Sequence, residues 1–160
     1  CVTPVVRKRL AELSQCGLNV IVDSRDRIGL FEQVIVKPND IEVCREFGRQ
    51  VGAPVEELQE LALALSEKNQ RPAFVTMGSN GCIAVEHGTA THVPAVPVPP
   101  PIDICGAGDT FLSALACALA AHATAAEAAE LANLAASLTI RQFHATSVAT
   151  REALLAAING

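Results

Sequence analysis

The stretch Asp103-Ile-Cys-Gly-Ala-Gly-Asp-Thr-Phe111 stands directly before a strongly apolar segment that is predicted to be a helix. Its centre, Gly106-Ala107-Gly108-Asp109, places small residues where that helix opens. Small residues let backbone N–H groups approach a ligand closely, and a helix start adds unpaired donors and the positive end of the dipole. The stretch therefore suits an anion, either a phosphate or the negative charge that develops during group transfer.

Asp109 lies at the mouth of this segment, where a carboxylate can accept a proton from a hydroxyl nucleophile. A structural alternative is that the glycines form a tight turn and Asp109 caps the helix. The chain contains no GxxxxGK[ST] pattern and no GxGxxG after a strand. The absence of these patterns argues against a Walker A loop and weakens the case for a Rossmann dinucleotide site.

The elements around this stretch alternate between helices and short, apolar strands. Helices are predicted over residues 4–15, 40–48, 54–69, 110–121, 125–141 and 151–158, and strands over 19–23, 34–36, 73–76, 82–85 and 91–93. Five prolines between Pro94 and Pro101 indicate an extended surface connection. The alternation predicts an α/β fold with a mainly parallel sheet, in one domain over residues 1–160.

Composition excludes several classes of protein. A formal net charge of −5 argues against a nucleic-acid partner, and a hydrophobic content of 50% excludes intrinsic disorder. No uninterrupted apolar run of about 18 residues exists, so no membrane span is predicted. The six cysteines form no CxxC pair, which favours reduced thiols packed as small hydrophobic residues in a cytoplasmic protein. The four histidines lack metal-ligand spacing and are predicted at the surface or in turns.

A second polar segment, Lys37-Pro38-Asn39-Asp40-Ile41-Glu42, follows a predicted buried strand. Asn39 and Glu42 have the spacing of a capping box, which is a structural explanation. The functional alternative is that open α/β sheets bind ligands at the carboxyl ends of their strands. Lys37 would then hold a phosphate, and Glu42 would hold a magnesium-bound water.

Two further segments are weaker signals. Thr76-Met77-Gly78-Ser79-Asn80-Gly81 is either an ordinary turn or a loop whose backbone contacts a nucleotide phosphate. Asn133 stands among small apolar residues of a predicted helix, where it is either a hydrogen-bonded core residue or a residue that faces a ligand.

Taken in their order along the chain, the four segments resemble the motifs of the ribokinase, or PfkB, carbohydrate kinase family. The stretch 103–111 is similar to its hallmark motif, 37–42 to its TPN/KPN-x-x-E element, 75–81 to its VTLGxxG turn, and 131–133 to its late AN-A-A helix. The resemblance implies a ribokinase-like fold and extends over essentially the whole chain. It matches only the carboxyl-terminal, nucleotide-binding half, because the amino-terminal half with the sugar-binding residues and the lid has no counterpart here.

The resemblance implies transfer of the ATP γ-phosphate to a hydroxyl of a sugar or sugar phosphate, with Mg²⁺. Asp109 would be the base, with Gly106, Ala107 and Gly108 as the anion hole. The implied nucleotide-binding residues are Lys37, Asn39, Thr76, Gly78, Ser79, Gly81 and Asn133. Glu42 would hold Mg²⁺ through water, and Asp103 and Cys105 match positions that hold K⁺ in several members. His144 departs from the Gly that the family usually has near that cation site.

The identity of the substrate is left open by the sequence. The segment 143–148 is similar to a stretch of bacterial heptose-phosphate kinases, and Asp23-Ser24-Arg25 stands where those enzymes have Asp-Pro-Lys. A generic sugar kinase and a nucleoside kinase are alternatives, as are a nucleotide-binding module without catalysis and an inactive fragment. A sheet cut through its middle exposes an edge strand, so we expect a longer native protein or a homo-oligomer.

Overall fold

A computed structural model describes residues 2–141 and 148–159. The chain divides into two compact units. Cys1–Met77 and Cys82–His92 form the first, which we call the sheet unit. Gly78–Gly81 and Val93–Gly160 form the second, which we call the helical unit. The prediction of one nucleotide-binding domain over residues 1–160 stays a prediction.

Groups of strands and groups of helices follow one another along the chain. In the sheet unit they are α1 (Pro4–Gln15), β1 (Ile21–Val22), β2 (Ile35–Val36), α2 (Asp40–Glu46), α3 (Val55–Asn69), β3 (Ala73–Thr76), β4 (Cys82–Glu86) and β5 (Thr89–Val93), whose last residue begins the helical unit. In the helical unit they are α4 (Ala107–Ala120), α5 (Ala125–Thr139) and α6 (Arg151–Asn159). Short 3₁₀ turns span Ile28–Leu30 and Gly78–Asn80.

The strands form one five-stranded sheet in the order β1-β2-β3-β4-β5. β1 pairs with β2, and β2 with β3, in parallel, whereas β3 and β4 are antiparallel with Ala73 opposite Val85 and Thr76 opposite Cys82. Residues 77–81 are too few for a crossover connection, so the strand that follows β3 must run antiparallel. The predicted α/β class is confirmed, with a mixed sheet.

The core of the sheet unit lies between α3 and the central strands. Leu58, Leu61 and Leu65 are buried at the spacing of one helix face, and α3 packs against β2, β3 and β4. Val36 and Val75 are fully buried beneath them. Leu63 is only half-buried, because it lies off this face.

The helical unit is built on the packing of α4 against α5. Three of the four buried residues of α4 are large, namely Phe111, Leu115 and Leu119, and the fourth is Ala118. The buried residues of α5 are mostly alanines, which are Ala125, Ala128, Ala129, Ala132 and Ala135. Small side chains on one helix leave room for large ones on the other, so the two helices pack closely.

Several predicted boundaries differ from the structure. The first two strands are only two residues long, and α5 ends at Thr139 rather than Arg141. α4 begins at Ala107, three residues earlier than predicted, because Gly106 adopts a left-handed φ of +78° and its carbonyl accepts the Thr110 N–H at 2.9 Å. The predicted extended piece at 144–148 lies outside the described residues except for Val148.

The cysteines and histidines divide by exposure. The free thiols of Cys44 and Cys82 are buried, and burial raises the pKa of both, that of Cys82 to about 12. Cys16, Cys105 and Cys117 are exposed, so the prediction of buried packing is wrong for them. The surface positions predicted for His87, His92 and His122 are confirmed, whereas His144 and Cys1 lie outside the described residues. No helix in the part of the chain described is long and apolar enough to cross a membrane.

Gly81 is the glycine whose replacement we expect to be most costly. Its φ is +89°, and an added Cβ would run into the backbone of the segment Val93–Ala95, including the Val93 carbonyl oxygen. We predict that Gly81→Ala lowers the free energy of unfolding by about 3 kcal/mol or more, because backbone strain adds to a collision with backbone atoms. The loss is measured by urea unfolding.

Gly88→Ala is the matched control. Gly88 has a similar φ of +75°, but an added Cβ there meets nothing within 4 Å. This variant should lose only the cost of the left-handed backbone, about 1 kcal/mol. Equal losses for the two variants would contradict the collision at Gly81.

Candidate functional site

Three neighbouring strands of the sheet unit end at one edge, and a polar residue follows or closes each of them. Asp23 follows β1, Lys37 follows β2, and Thr76 closes β3. The Lys37 N–H donates to the Val22 carbonyl at 2.9 Å, and the Thr76 N–H donates to the Pro38 carbonyl at 3.1 Å. The structure therefore places Lys37 and Thr76 at the carboxyl ends of parallel strands, where α/β sheets bind ligands.

Lys37 is paired with a residue that the sequence analysis did not assign to the site. Its ammonium nitrogen lies 2.8 Å from the Asp23 carboxylate, with 4% of the Lys37 side chain and 31% of the Asp23 side chain exposed. A buried ammonium group needs a counter-charge, because desolvation of a lone charge is costly. The signal in the sequence was an acidic residue directly after the preceding apolar strand.

Asn39 and Glu42 form the capping box that the sequence allowed. The Asn39 side-chain oxygen accepts the Glu42 N–H at 2.8 Å, and the Glu42 carboxylate accepts the Asn39 N–H at 2.8 Å. Asn39 also forms a parallel bridge with Thr76. The capping box is therefore present, and its two hydrogen bonds fix the Asn39 and Glu42 side chains at the start of α2, beside the strand ends.

The Glu42 carboxyl is buried, with 8% of the residue exposed. Burial raises the pKa of Glu42, and the negative charge of Asp23 acts in the same direction. The hydrogen bond from Asn39 and the positive charges of Lys37 and Arg25 lower this pKa in part. Three charged groups at this edge of the sheet therefore act on the Glu42 carboxyl.

In the helical unit, the stretch around Gly106 forms the entrance to α4. The Asp103 carboxylate accepts the Cys105 N–H at 2.9 Å, and the Asp103 N–H donates to the Ile140 carbonyl at 2.9 Å. Gly106 is the N-cap of α4 and contributes no capping side chain. Gly106 has a left-handed φ of +78°, and both Gly106 and Gly108 are exposed. The first turn of α4 is therefore accessible to an anion.

Asp109 is the third residue of α4 and is exposed. It lines a cavity of about 670 Å³ within the helical unit, together with Asp103, Cys105 and Gly106. Ser113 and Cys117 line the same cavity. They follow Asp109 at intervals of four residues and so share its helix face. Neither Ser113 nor Cys117 was predicted to belong to the site, although the spacing of four residues is visible in the sequence.

Gly81 and Asn133 both contact the segment that follows β5. The Asn133 amide donates to the carbonyls of Val93 at 3.2 Å and Pro94 at 3.1 Å, and Asn133 is buried. The Gly81 N–H donates to the Gly78 carbonyl at 3.1 Å and closes the 3₁₀ turn. Because Gly81 has no Cβ, the backbone of the segment 93–95 can pass close to it. Asn133 is therefore a hydrogen-bonded interior residue, whereas Gly78 and Ser79 are exposed.

The structure groups the predicted residues within each unit. In the sheet unit it brings together Lys37, Asn39, Glu42 and Thr76, to which it adds Asp23. In the helical unit it brings together Asp103, Cys105, Gly106, Ala107, Gly108 and Asp109 at the start of α4. Gly81 and Asn133 meet at the segment 93–95, with Gly78 and Ser79 in the adjoining 3₁₀ turn.

The donor groups of the described residues limit the metals that the chain can hold. Among residues 2–141 and 148–159, no group of three His, Cys, Asp or Glu side chains could hold a metal ion. A single buried carboxylate such as Glu42 fits Mg²⁺, which keeps several waters and binds largely through substrate phosphates. It does not fit a metal held by protein ligands alone.

Comparison with known proteins gives concordant results. The family model described as pfkB family carbohydrate kinase matches residues 32–152. Bifunctional protein HldE of Caulobacter sp. strain K31 is 37% identical over 99% of this chain and 33% of its own length. The chain thus spans about a third of the length of the curated relatives it matches.

Solved structures share the fold. Arabidopsis thaliana ribokinase, complexed with ribose and ATP, superposes with a TM-score of 0.79 at 24% identity, over 97% of this chain and 51% of that one. Phosphofructokinase-2 of Escherichia coli, in complex with substrates and products, superposes with a TM-score of 0.77 at 21% identity, over 95% and 50% of the two chains. The predicted ribokinase-like fold is confirmed.

The buried Glu42 and the exposed Glu127 should make opposite contributions to pH-dependent stability. Both are the acidic residue of a capping box, but hydrogen bonds from the Thr124 side chain and backbone lower the pKa of Glu127. A raised pKa in the folded state favours folding at low pH, and this contribution is lost as pH rises from the ordinary value of 4.5 through the folded pKa. The contribution of Glu127 is present above 4.5 and is lost as pH falls.

Urea unfolding of Glu42→Gln and Glu127→Gln from about pH 3 to about pH 7 checks this. Relative to Glu42→Gln, the unmodified chain should lose stability as pH rises. Relative to Glu127→Gln, it should gain stability over the same interval. If both stability differences changed with pH in the same direction, burial would not be the main influence on the pKa of Glu42.

Proposed function

Because the chain belongs to the pfkB family of carbohydrate kinases, we propose that it is the nucleotide-binding part of an ATP-dependent kinase that phosphorylates a hydroxyl of a sugar or sugar phosphate. One observation carries the proposal. Asp109 stands exposed on the first turn of α4, beside a glycine-flanked helix start and a cavity large enough for a small ligand.

The chemistry follows from the charges that phosphoryl transfer creates. Asp109 would accept the proton of the acceptor hydroxyl as its oxygen bonds to the γ-phosphorus of ATP and ADP leaves. The N–H groups at Gly106 and Gly108 would stabilise the negative charge on the transferring phosphoryl oxygens. The Ala107 N–H donates to the Ile104 carbonyl at 3.2 Å and would exchange that partner to join them. Most of the rate enhancement would come from such positioning and charge stabilisation.

The sheet unit would supply phosphate and metal contacts. We assign Lys37 and Asn39 to ATP phosphates, with Thr76 at the end of the neighbouring strand. Glu42 would hold a water of Mg²⁺, whose charge neutralises phosphate oxygens when it is bound. Support for these roles comes from the position of Lys37, Asn39 and Thr76 at the carboxyl ends of parallel strands, with Glu42 in the adjoining first turn of α2.

In the helical unit, Gly78, Ser79 and Gly81 would contact the nucleotide through the turn, and Asn133 would support this region by holding the segment 93–95. Asp103 and Cys105 would adjoin a K⁺ site. The Asp103 carboxylate already accepts the Cys105 N–H, so a cation there would share that oxygen.

The acceptor is proposed more finely as a heptose phosphate, on the resemblance of Asp23-Ser24-Arg25 to heptose-phosphate kinases. A nucleoside kinase of the same family is the alternative enzyme. Because the chain spans only part of its relatives, we propose that a sugar-binding amino-terminal half or a second copy completes the enzyme, in the cytoplasm.

Nucleotide binding is the first test. We predict saturable binding of magnesium-ATP in calorimetric titration, weakened about tenfold or more by Asn39→Ala and by Glu42→Ala, because each removes a polar group from the phosphate contacts. The variants Thr124→Ala and Glu127→Ala break the other capping box and serve as matched controls for lost stability. Absence of binding by the folded chain, or equal weakening by the controls, would contradict the assignment.

Turnover tests the base. In the gene product that carries this chain, Asp109→Asn should lower kcat by about 10²-fold or more, since proton acceptance is removed, while ATP affinity changes little. Glu130→Gln neutralises an exposed carboxylate of α5 and should leave kcat unchanged. An Asp109→Asn variant that keeps most of its turnover would show that another group is the base. Nucleotide binding without any turnover would favour the non-catalytic module.

A further inference from the structure

We propose that Asp23 is a positioning residue that holds the Lys37 ammonium at the carboxyl edge of the sheet and competes with nucleotide phosphate for it, so that Asp23 limits nucleotide affinity. The inference rests on the proposed nucleotide binding. The sequence relates Asp23 only to the identity of the acceptor, and the proposed nucleotide contacts give it no role.

The pairing of Asp23 and Lys37 is a consequence of strand register. Val22 and Val36 are partners in the parallel ladder between β1 and β2. The next residue along each strand is therefore Asp23 in one and Lys37 in the other, and the Lys37 N–H still donates to the Val22 carbonyl. The backbone thus brings the two side chains to the same point of the edge, independently of any ligand.

Burial makes the two partners unequal. The Lys37 side chain is almost fully buried, whereas about a third of the Asp23 side chain reaches solvent. An anion that approaches Lys37 from solvent therefore meets the carboxylate that already neutralises it. Since a buried ammonium is costly without a counter-charge, Asp23 holds the Lys37 ammonium in place before any phosphate arrives.

The surrounding charges are balanced. Asp23, Lys37 and Arg25 all act electrostatically on Glu42, so two acidic and two basic groups share this neighbourhood. Asn at position 23 would keep an oxygen that can accept from the Lys37 ammonium but would remove one negative charge. The local excess of positive charge would then favour a phosphate, by about fivefold for a unit charge about 4 Å away in water.

The experiment is calorimetric titration of magnesium-ATP into the unmodified chain, Asp23→Asn, Lys37→Met and the double variant, at low and physiological ionic strength. Asp23→Asn should bind about fivefold more tightly, with a steeper dependence on salt. Lys37→Met should bind more weakly, and the double variant should bind like Lys37→Met because Asp23 acts through Lys37. Asp26→Asn, which changes the net charge equally from an exposed position, should leave the affinity within about twofold.

The outcomes separate the two proposals. If the unmodified, folded chain does not bind magnesium-ATP, the proposed function fails and this inference fails with it. If the unmodified chain binds but Asp23→Asn binds equally or more weakly, or Asp26→Asn gives the same gain, only the role of Asp23 is overturned.

A second measurement needs no variant, in case Asp23→Asn does not fold. The side-chain ¹⁵N resonance of the Lys37 ammonium in the unmodified chain should shift on saturation with magnesium-ATP, because its hydrogen-bond partner changes or is shared. A resonance that stays in place at saturation would overturn the proposal.

Discussion

The backbone hydrogen bonds between β1, β2 and β3 determine where the polar residues of the sheet unit lie. The strands themselves are short, and β1 and β2 contribute only two residues each. The hydrogen-bond ladder nevertheless continues past these strands. The Lys37 N–H donates to the Val22 carbonyl, and the Thr76 N–H donates to the Pro38 carbonyl. Because parallel strands end at the same edge, this register collects Asp23, Lys37 and Thr76 from segments far apart in the sequence. The pairing of Asp23 with Lys37 and the placement of the α2 capping box both depend on it.

Capping illustrates how the same local motif acquires different chemistry. The box at Asn39 and Glu42 and the box at Thr124 and Glu127 have the same reciprocal hydrogen bonds. In the first, desolvation dominates and the pKa of the glutamate is raised, whereas in the second the exposed carboxylate feels mainly its hydrogen bonds and the pKa is lowered. A buried carboxylate beside two basic groups is suited to interaction with a bound, charged ligand. An exposed one at a helix start is explained by stability alone.

Structural and functional explanations of a residue are compatible in this chain. Asn133 is hydrogen-bonded to backbone carbonyls, as expected of an interior amide, and it thereby fixes the segment that Gly81 allows to pass close by. Asn39 caps a helix and stands at the strand ends. At each position the local hydrogen bond makes the side chain rigid, and rigid side chains are what a positioned ligand requires. The local hydrogen bonds of Asn39 and Asn133 are therefore compatible with the nucleotide contacts that we propose for them.

Local patterns in the sequence determined most of the elements of this protein. The helix predicted over residues 4–15, the strand predicted over 73–76 and the capping box of Asn39 and Glu42 depend on short-range features, and each forms. The start of α4 was misplaced by three residues, since the left-handed conformation of Gly106 decides it. The tertiary structure alone decided which strands are neighbours, that the Lys37 ammonium is buried against Asp23, and that Ser113 and Cys117 share a cavity with Asp109. The reason is physical: capping and periodicity act within a few residues of chain, whereas register and burial arise only when distant segments pack together.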